Sequence, residues 1–245
     1  MKVLVVIPAR YASTRFPGKP LALINGQPMI KLIVDRVQEL NMNKRVVVAT
    51  DDQRIADTVN EFGGEAIMTK TSHQSGTDRC AEVVALLDEY FDLVLNVQGD
   101  EPGIAIHSLE LLVEAFSDKE VSIATLKNVI TDLDSLKSSH VVKVVTDKQG
   151  YAMYFSRLPI PSVRDLPVEK WFEKGLHFQH QGIYAFRPEA ILALTNTPPS
   201  NLEQAESLEQ LRWMDEGYKI RVIKTPYKSI GIDTPEDLEN FVRGI

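Results

Sequence analysis

Two hydrophobic rhythms alternate along the first half of the chain. Lys2 to Ile7 (KVLVVI) is continuous and β-branched, the pattern of a strand covered on both faces. Pro28 to Leu40 (PMIKLIVDRVQEL) repeats its apolar residues at helical spacing, with Pro28 suited to a first turn. Arg45 to Thr50 (RVVVAT) predicts a second buried strand, and Asp52 to Phe62 a helix stopped by Gly63-Gly64. A short strand over Glu65 to Met68, a helix over Thr77 to Tyr90 and a strand over Asp92 to Val97 continue the series. Strands alternating with helices predict an α/β fold with parallel strands and right-handed crossovers.

The second half is less regular. Val121 to Leu126, Val141 to Thr146 and Tyr151 to Phe155 read as strands, the last two joined as a hairpin through Asp147-Lys-Gln-Gly150. Leu158 to Gly175 carries three prolines and mixed charge, the signature of a long loop or projecting lobe. Gly182 to Phe186 predicts another strand, Asn201 to Glu216 a helix and Lys219 to Lys224 a last strand. Thr234-Pro-Glu-Asp237 has the form of a helix cap with proline at the first helical position.

Composition narrows the functional classes. With 245 residues, 44% of them hydrophobic, the chain buries a core sufficient for one large domain or a main domain with a lobe. A net charge of −7 argues against a general nucleic-acid binder, although it leaves room for a local basic pocket. The single cysteine, Cys80, has no internal disulfide partner and no nearby histidine to activate it; it reads as a small buried hydrophobe in a reducing compartment. No stretch reads as a signal peptide or approaches the length of a membrane span, so a soluble cytoplasmic protein is expected.

The chemistry concentrates after the first strand. In open α/β sheets ligands bind at the carboxyl ends of strands, and here that position is followed by Arg10, Ser13, Thr14, Arg15, Gly18 and Lys19. Arginine supplies a forked donor set and lysine a mobile point charge, both suited to a triphosphate. Gly18 permits close backbone approach. A solvated basic loop would carry the same charges, but its place directly after a buried strand in an acidic chain favours a phosphate grip. The segment is neither a Walker P-loop nor G-x-G-x-x-G, so redox dinucleotide binding loses support. Asp100 follows the fourth strand beyond Gly99, and Asp233 follows the last. Carboxylates at strand ends suit Mg²⁺, which takes a few carboxylates plus phosphate oxygens and water. Chemistry alone favours metal for Asp100 and helix capping for Asp233. Ser75-Gly-Thr-Asp-Arg79 reads either as a helix cap with a surface ion pair or as a polar ligand contact at a helix N-terminus, and the two are compatible. His107, His140 and His177 lack ligand-like spacing, so zinc is unsupported.

Ile7-Pro-Ala-Arg-Tyr-Ala-Ser-Thr-Arg-Phe-Pro-Gly-Lys19 resembles the signature loop of the 3-deoxy-manno-octulosonate (Kdo) cytidylyltransferases, also called CMP-Kdo synthetases. His73 to Arg79, Asn96 to Pro102, Tyr154 to Arg157 with Ile160-Pro161, His180 to Tyr184, Leu208 to Arg212 and Gly231 to Leu238 match the same family in order and spacing, across nearly the whole chain. Gly103 departs from it, standing where the family more often has a bulky apolar residue, and Leu158 to Gly175 matches poorly after Asp165.

The resemblance implies a Rossmann-like, three-layer nucleotidyltransferase fold with a mostly parallel sheet and a smaller projecting lobe. It implies one domain over 1–245, with a dimerisation or sugar-binding lobe roughly within 121–200. It further implies CTP and Kdo as substrates, CMP-Kdo for lipopolysaccharide synthesis as product, Mg²⁺ as cofactor and a homodimer. Carried onto this sequence, Ala9, Arg10, Ser13, Arg15, Lys19, Ser75 and Arg79 are expected to bind the nucleotide. Thr50-Asp51 is a plausible wall for the base. Arg10, Arg15, Lys19 and Asp100 are the expected catalytic groups. Both Asp100 and Asp233 are expected to hold the metal, and Gln98, Arg157, His180, Tyr184, Glu209 and Gln210 the sugar acid. Glu101 receives no role. On their residue types alone, His180 and Tyr184 read as satisfied strand side chains, and Glu209 and Gln210 as a helix's solvent face. Two rival readings remain: a cytidylyltransferase for 8-amino-8-deoxy-Kdo or another acidic sugar, and a non-catalytic nucleotide-binding protein.

Overall fold

In the computed structural model, which describes residues 1–12 and 15–244, the chain is α/β and forms two compact units. The first comprises residues 1–110, 185–195 and 229–245, and the second residues 111–184 and 196–228. The first unit opens with β1 (Val3–Ala9), followed by a two-residue hairpin of β2 (Leu23–Ile24) and β3 (Gln27–Pro28). Helix α1 (Met29–Gln38) turns Met29, Ile30, Ile33, Val34 and Val37 inward, one apolar stripe at helical spacing. Pro28 stands just before its first turn, in extended conformation. Strand β4 (Lys44–Thr50) leads to α2 (Gln53–Glu61), capped by the Asp52 side chain; β5 (Ala66–Met68) leads to α3 (Gly76–Leu86). Next come β6 (Leu93–Asn96) and α4 (Ile106–Glu114). The four longer strands are parallel in the order β6-β1-β4-β5, with Val3 opposite both Lys44 and Leu93. Val3 to Ile7 and Leu93 to Leu95 are fully buried, as their unbroken apolar runs require.

The second unit holds β7 (Ile123–Val129), α5 (Leu133–Lys137), β8 (Lys143–Thr146), β9 (Ala152–Ser156) and β10 (Phe178–Phe186). After α6 (Pro188–Leu194), which belongs to the first unit and packs there on α3, the second unit continues with α7 (Asn201–Glu206), α8 (Gln210–Asp215) and β11 (Ile220–Lys224). Helix α9 (Pro235–Arg243) closes the first unit, with proline at its start as the sequence predicts. β11 pairs with β7 in parallel. β8 and β9 form the expected antiparallel hairpin, closed by an Asp147 N–H to Tyr151 carbonyl bond of 2.9 Å with Gly150 at φ +83°.

Several elements differ from the sequence reading for identifiable reasons. Helix α3 ends at Leu86, short of Tyr90, because Glu89 accepts bonds from Lys2 and Arg45 and draws the chain back to the sheet. The helix expected over Asn201 to Glu216 is two, broken at Ser207 (φ +50°). Arg157 donates to the carbonyls of both Glu206 and Ser207, removing the acceptors a continuous helix would use. Strand β10 begins at Phe178 rather than Gly182, its polar first half having masked the pattern. Leu158 to Gly175 is a loop with two short 3₁₀ turns, held by a Trp171 indole bond to the Leu166 carbonyl.

Candidate active site

A cleft of about 440 Å³ opens at the carboxyl ends of β1 and β6. Of the expected site residues, Ala9, Arg10, Arg15, Lys19, Arg79, Gln98, Asp100 and Asp233 line it, together with Pro8, Ala12, Pro20, Gly76 and Gly99. Ser13 lies outside the described residues. Gly99 is required sterically: a Cβ there would collide with the carbonyl oxygen of Pro8 at the end of β1. The same close approach brings Asp100 beside the loop that follows β1.

Lys19 stands at the start of a 3₁₀ turn entered through Gly18 at φ +71°. Its Nζ lies 2.7 Å from Asp100 Oδ2 and 3.3 Å from Asp233 Oδ1, partners 81 and 214 residues away in sequence. Arg15 Nη2 is 3.1 Å from Asp233 Oδ1. The Lys19 side chain is only 13% exposed, against 31% for Asp100 and 46% for Asp233, so water reaches the carboxylates more freely than the ammonium between them. Helix α9 is capped by Thr234, whose hydroxyl oxygen accepts from the Asp237 N–H, while the Asp237 carboxylate accepts from the Thr234 and Asp233 N–H groups. The Asp233 side chain is thereby left facing Lys19 and Arg15, which settles the capping alternative in favour of its neighbour.

Two further ties hold the carboxylates in place. The Ile232 N–H donates to the Asp100 carbonyl at 2.9 Å, and the Ser229 hydroxyl donates to the Glu101 carboxylate. Burial pushes the Glu101 carboxyl up to about 7, with Ser229 opposing the rise and the negative charges of Asp100 and Asp233 adding to it. Glu101 thus joins the Asp100 and Asp233 loops, a role with no local sequence signal because Ser229 lies 128 residues away. Gly103 lies against α9: a Cβ there would stand 3.2 Å from Phe241 Cε2, so the small residue makes room for that ring.

The opposite wall carries Arg79, 1% exposed. Its guanidinium donates to Thr69 Oγ1 and, at 2.9 Å, to Asp51 Oδ2, and Thr69 in turn donates to the Thr50 carbonyl. Arg79 Nε has no hydrogen-bond partner among the described residues. Ser75 caps α3 in a capping box with Asp78, which presents Gly76 at the N-terminus of that helix to the cleft.

The other residues expected to bind the sugar lie in the second unit. Arg157 directs its guanidinium to three carbonyls, those of Ser139, Glu206 and Ser207. The His180 ring packs edge-on to Phe155 at 4.9 Å and near Tyr184 at 5.4 Å, with Nε2 3.0 Å from Thr125 Oγ1. Burial alone pushes its imidazole down to about 3, so it is neutral at physiological pH. Burial likewise holds the Tyr184 hydroxyl well above the usual phenol range, beside the Trp213 ring at 5.0 Å. Glu209 accepts from Arg212, and Gln210 is buried with its Nε2 unpartnered among the described residues. Cys80 is buried. His177 bonds to the Pro161 carbonyl, and no group of three or more metal-binding side chains occurs among the described residues.

Residues 4–220 match the cytidylyltransferase family model. The chain is 46% identical to the 3-deoxy-manno-octulosonate cytidylyltransferase of Porphyromonas gingivalis W83, over 98% of this chain and 95% of that one. It is 48% identical to the enzyme of the same name from Syntrophotalea carbinolica, over the full length of both. Among solved structures, CMP:2-keto-3-deoxy-manno-octonic acid synthetase complexed with CTP superposes with a TM-score of 0.91 at 41% identity, covering 99% of this chain and 98% of that one. A cytidylyltransferase from Leptospira borgpetersenii shares the fold alone, at 18% identity and a TM-score of 0.61, over 99% of this chain and 85% of that one.

Proposed function

The chain belongs to the 3-deoxy-manno-octulosonate cytidylyltransferase family, and we propose that it transfers CMP from CTP to Kdo at the cleft of its first unit, releasing pyrophosphate. The observation that carries this reading is the convergence of Lys19 and Arg15 on Asp100 and Asp233 from distant parts of the chain. Two cations facing two carboxylates at strand ends form a set that a phosphate and its counter-ion can enter, each new charge meeting one of opposite sign.

Arg15 and Lys19 would hold the leaving phosphates, and Lys19 or Arg10 the charge that grows on the α-phosphate. The Kdo 2-hydroxyl attacks the α-phosphorus in line, the P–O bond to pyrophosphate breaks, and the protein contributes positioning and charge neutralisation without a covalent intermediate. Arg79, with its Nε–H unpartnered among the described residues and a guanidinium plane fixed by Asp51 and Thr69, would supply a donor on the base side of the cleft. Asp100 and Asp233 fit Mg²⁺: they are hard oxygen donors already drawn together around one positive charge, that of Lys19. When bound there, Mg²⁺ would neutralise phosphate charge and orient the α-phosphate. Gln98, Arg157, His180, Tyr184, Glu209 and Gln210 are assigned to the sugar acid. Cytoplasmic location, a homodimer and supply of CMP-Kdo to lipopolysaccharide synthesis complete the proposal. No helix among the described residues is long and apolar enough to cross a membrane.

Pyrophosphate release with CTP, Mg²⁺ and a panel of Kdo, 8-amino-8-deoxy-Kdo and sialic acid tests the reading, with the other nucleotide triphosphates as controls. Release with Kdo and CTP is expected. Release only with another acid reassigns the sugar, and CTP binding without turnover on any of them supports the non-catalytic alternative.

A further inference from the structure

The loop that carries Arg15 must be held at its ends if its cations are to face the cleft. The chain enters it at Tyr11 and leaves at Gly18, and these two residues meet: the Gly18 N–H donates to the Tyr11 carbonyl at 2.9 Å. Gly18 sits at φ +71°, and a Cβ there would fall 3.1–3.3 Å from the Cε2, Cζ and hydroxyl atoms of the Tyr11 ring. The ring therefore lies against the backbone that leads directly into Lys19. The Arg54 guanidinium stacks on the same ring, its Cζ 3.3 Å from the ring centroid. Arg54 is not a free surface cation. Its Nε and Nη2 donate to Asp52 Oδ1 and Oδ2 at 2.9 and 2.7 Å, a bidentate pair that fixes the plane of the guanidinium and leaves one face for stacking. Asp52 also accepts the Arg54 N–H at 3.0 Å as the N-cap of α2, so the pair is anchored to the helix that follows β4. Its carboxyl is held below the usual range chiefly by Arg54 and stays ionised at neutral pH.

We propose that Asp52, Arg54 and Tyr11 form a clamp that fixes both ends of the loop after β1, making Arg54 and Tyr11 positioning residues for the CTP triphosphate. The inference rests on the reading of the cleft as a CTP site. None of Tyr11, Asp52 and Arg54 is itself among the residues that line the cleft. The clamp acts by restricting where Gly18 and Lys19 start, which reduces the ordering needed when the phosphates bind.

Calorimetric titration of the full-length protein with CTP and, separately, with CMP distinguishes positioning from general stabilisation. Arg54→Ala is expected to raise the Kd for CTP about tenfold and that for CMP by less than about twofold, because the loop serves the β- and γ-phosphates. Tyr11→Leu is expected to match it, Tyr11→Phe to recover the lost affinity by keeping the ring, and Arg54→Lys to recover little, since an ammonium neither forks nor stacks as a plane. The Arg54→Ala/Tyr11→Leu double variant should be no weaker than either single one, as for two parts of one contact. Unchanged CTP affinity in Arg54→Ala, equal losses for CTP and CMP, or additive losses would each overturn the clamp. If the wild type binds CTP but releases no pyrophosphate with any sugar, the functional reading falls while the clamp remains testable by these titrations. If the wild type turns over and Arg54→Ala binds CTP normally, the clamp alone falls.

Discussion

The cleft of the first unit and the aromatic cluster of the second both hold polar groups, but with different kinds of partner. In the cleft, Lys19, Arg15, Asp100 and Asp233 are held by one another, and on the proposed function each such contact is exchanged for a phosphate or a metal ion of the same sign. In the second unit His180 is neutral among Phe155, Tyr184 and Thr125, and the Arg157 donors go to backbone carbonyls. Those contacts are part of the fold, and breaking one leaves a polar group unpaired. The contrast separates residues whose loss should remove chemistry from residues whose loss should also weaken the structure.

The largest effect is expected at Asp100. Asp100→Ala should lower turnover by roughly 10³-fold or more, because it removes one of the two carboxylates that the proposed function assigns to Mg²⁺. Its circular dichroism and thermal midpoint should stay near those of the wild type, since Lys19 keeps Asp233. Normal turnover would remove Asp100 from the chemistry.

Lys19→Met should follow, with turnover reduced about 10²-fold, the order expected for one charge stabiliser. It carries a second expectation of opposite sign. Without its ammonium, Asp100 and Asp233 face each other with less compensation, so the nucleotide-free variant should bind Mn²⁺ more tightly than the wild type by electron paramagnetic resonance. Equal or weaker Mn²⁺ binding would contradict the proposal that the two carboxylates around Lys19 hold a metal ion.

Much of this framework was legible in the sequence, and the exceptions share a cause. The β1 run, the Asp52-capped helix, the 147–150 turn and the Thr234 cap are local patterns, and each is found where the spacing places it. The cationic loop and the two aspartates were recognisable as residue types at strand ends. That Lys19 stands between Asp100 and Asp233, that Ser229 holds Glu101, and that Arg54 stacks on Tyr11 are products of tertiary placement and leave no periodicity to read. The break at Ser207 was hidden for the same reason: the residue that ends α7 is Arg157, some fifty positions earlier.

The second unit yields smaller effects of a different kind. The His180 pKa is depressed in the fold, so the unfolded chain takes up its proton first as pH falls. The contribution is fully present above the unfolded value of 6.5 and is lost progressively down to about 3. Urea unfolding should show about 2 kcal/mol of this loss between pH 6.5 and 5, absent in His180→Phe. A parallel pH profile in the variant would contradict the buried, neutral assignment. Arg157→Lys should destabilise by about 1 kcal/mol, a lysine reaching fewer of the three carbonyls. The assignment of Arg157 to the sugar acid adds a raised KM for Kdo to that loss; an unchanged KM would leave Arg157 a part of the fold alone.

The central claim is that the carboxylates of the first unit serve cytidylyl transfer to Kdo. Pyrophosphate release from CTP and Kdo with Mg²⁺, compared between the wild type and Asp100→Ala at matched folded concentration, tests it most directly. The account predicts steady release by the wild type and almost none by the variant; equal release by both, or none by a wild type that binds CTP, would contradict it.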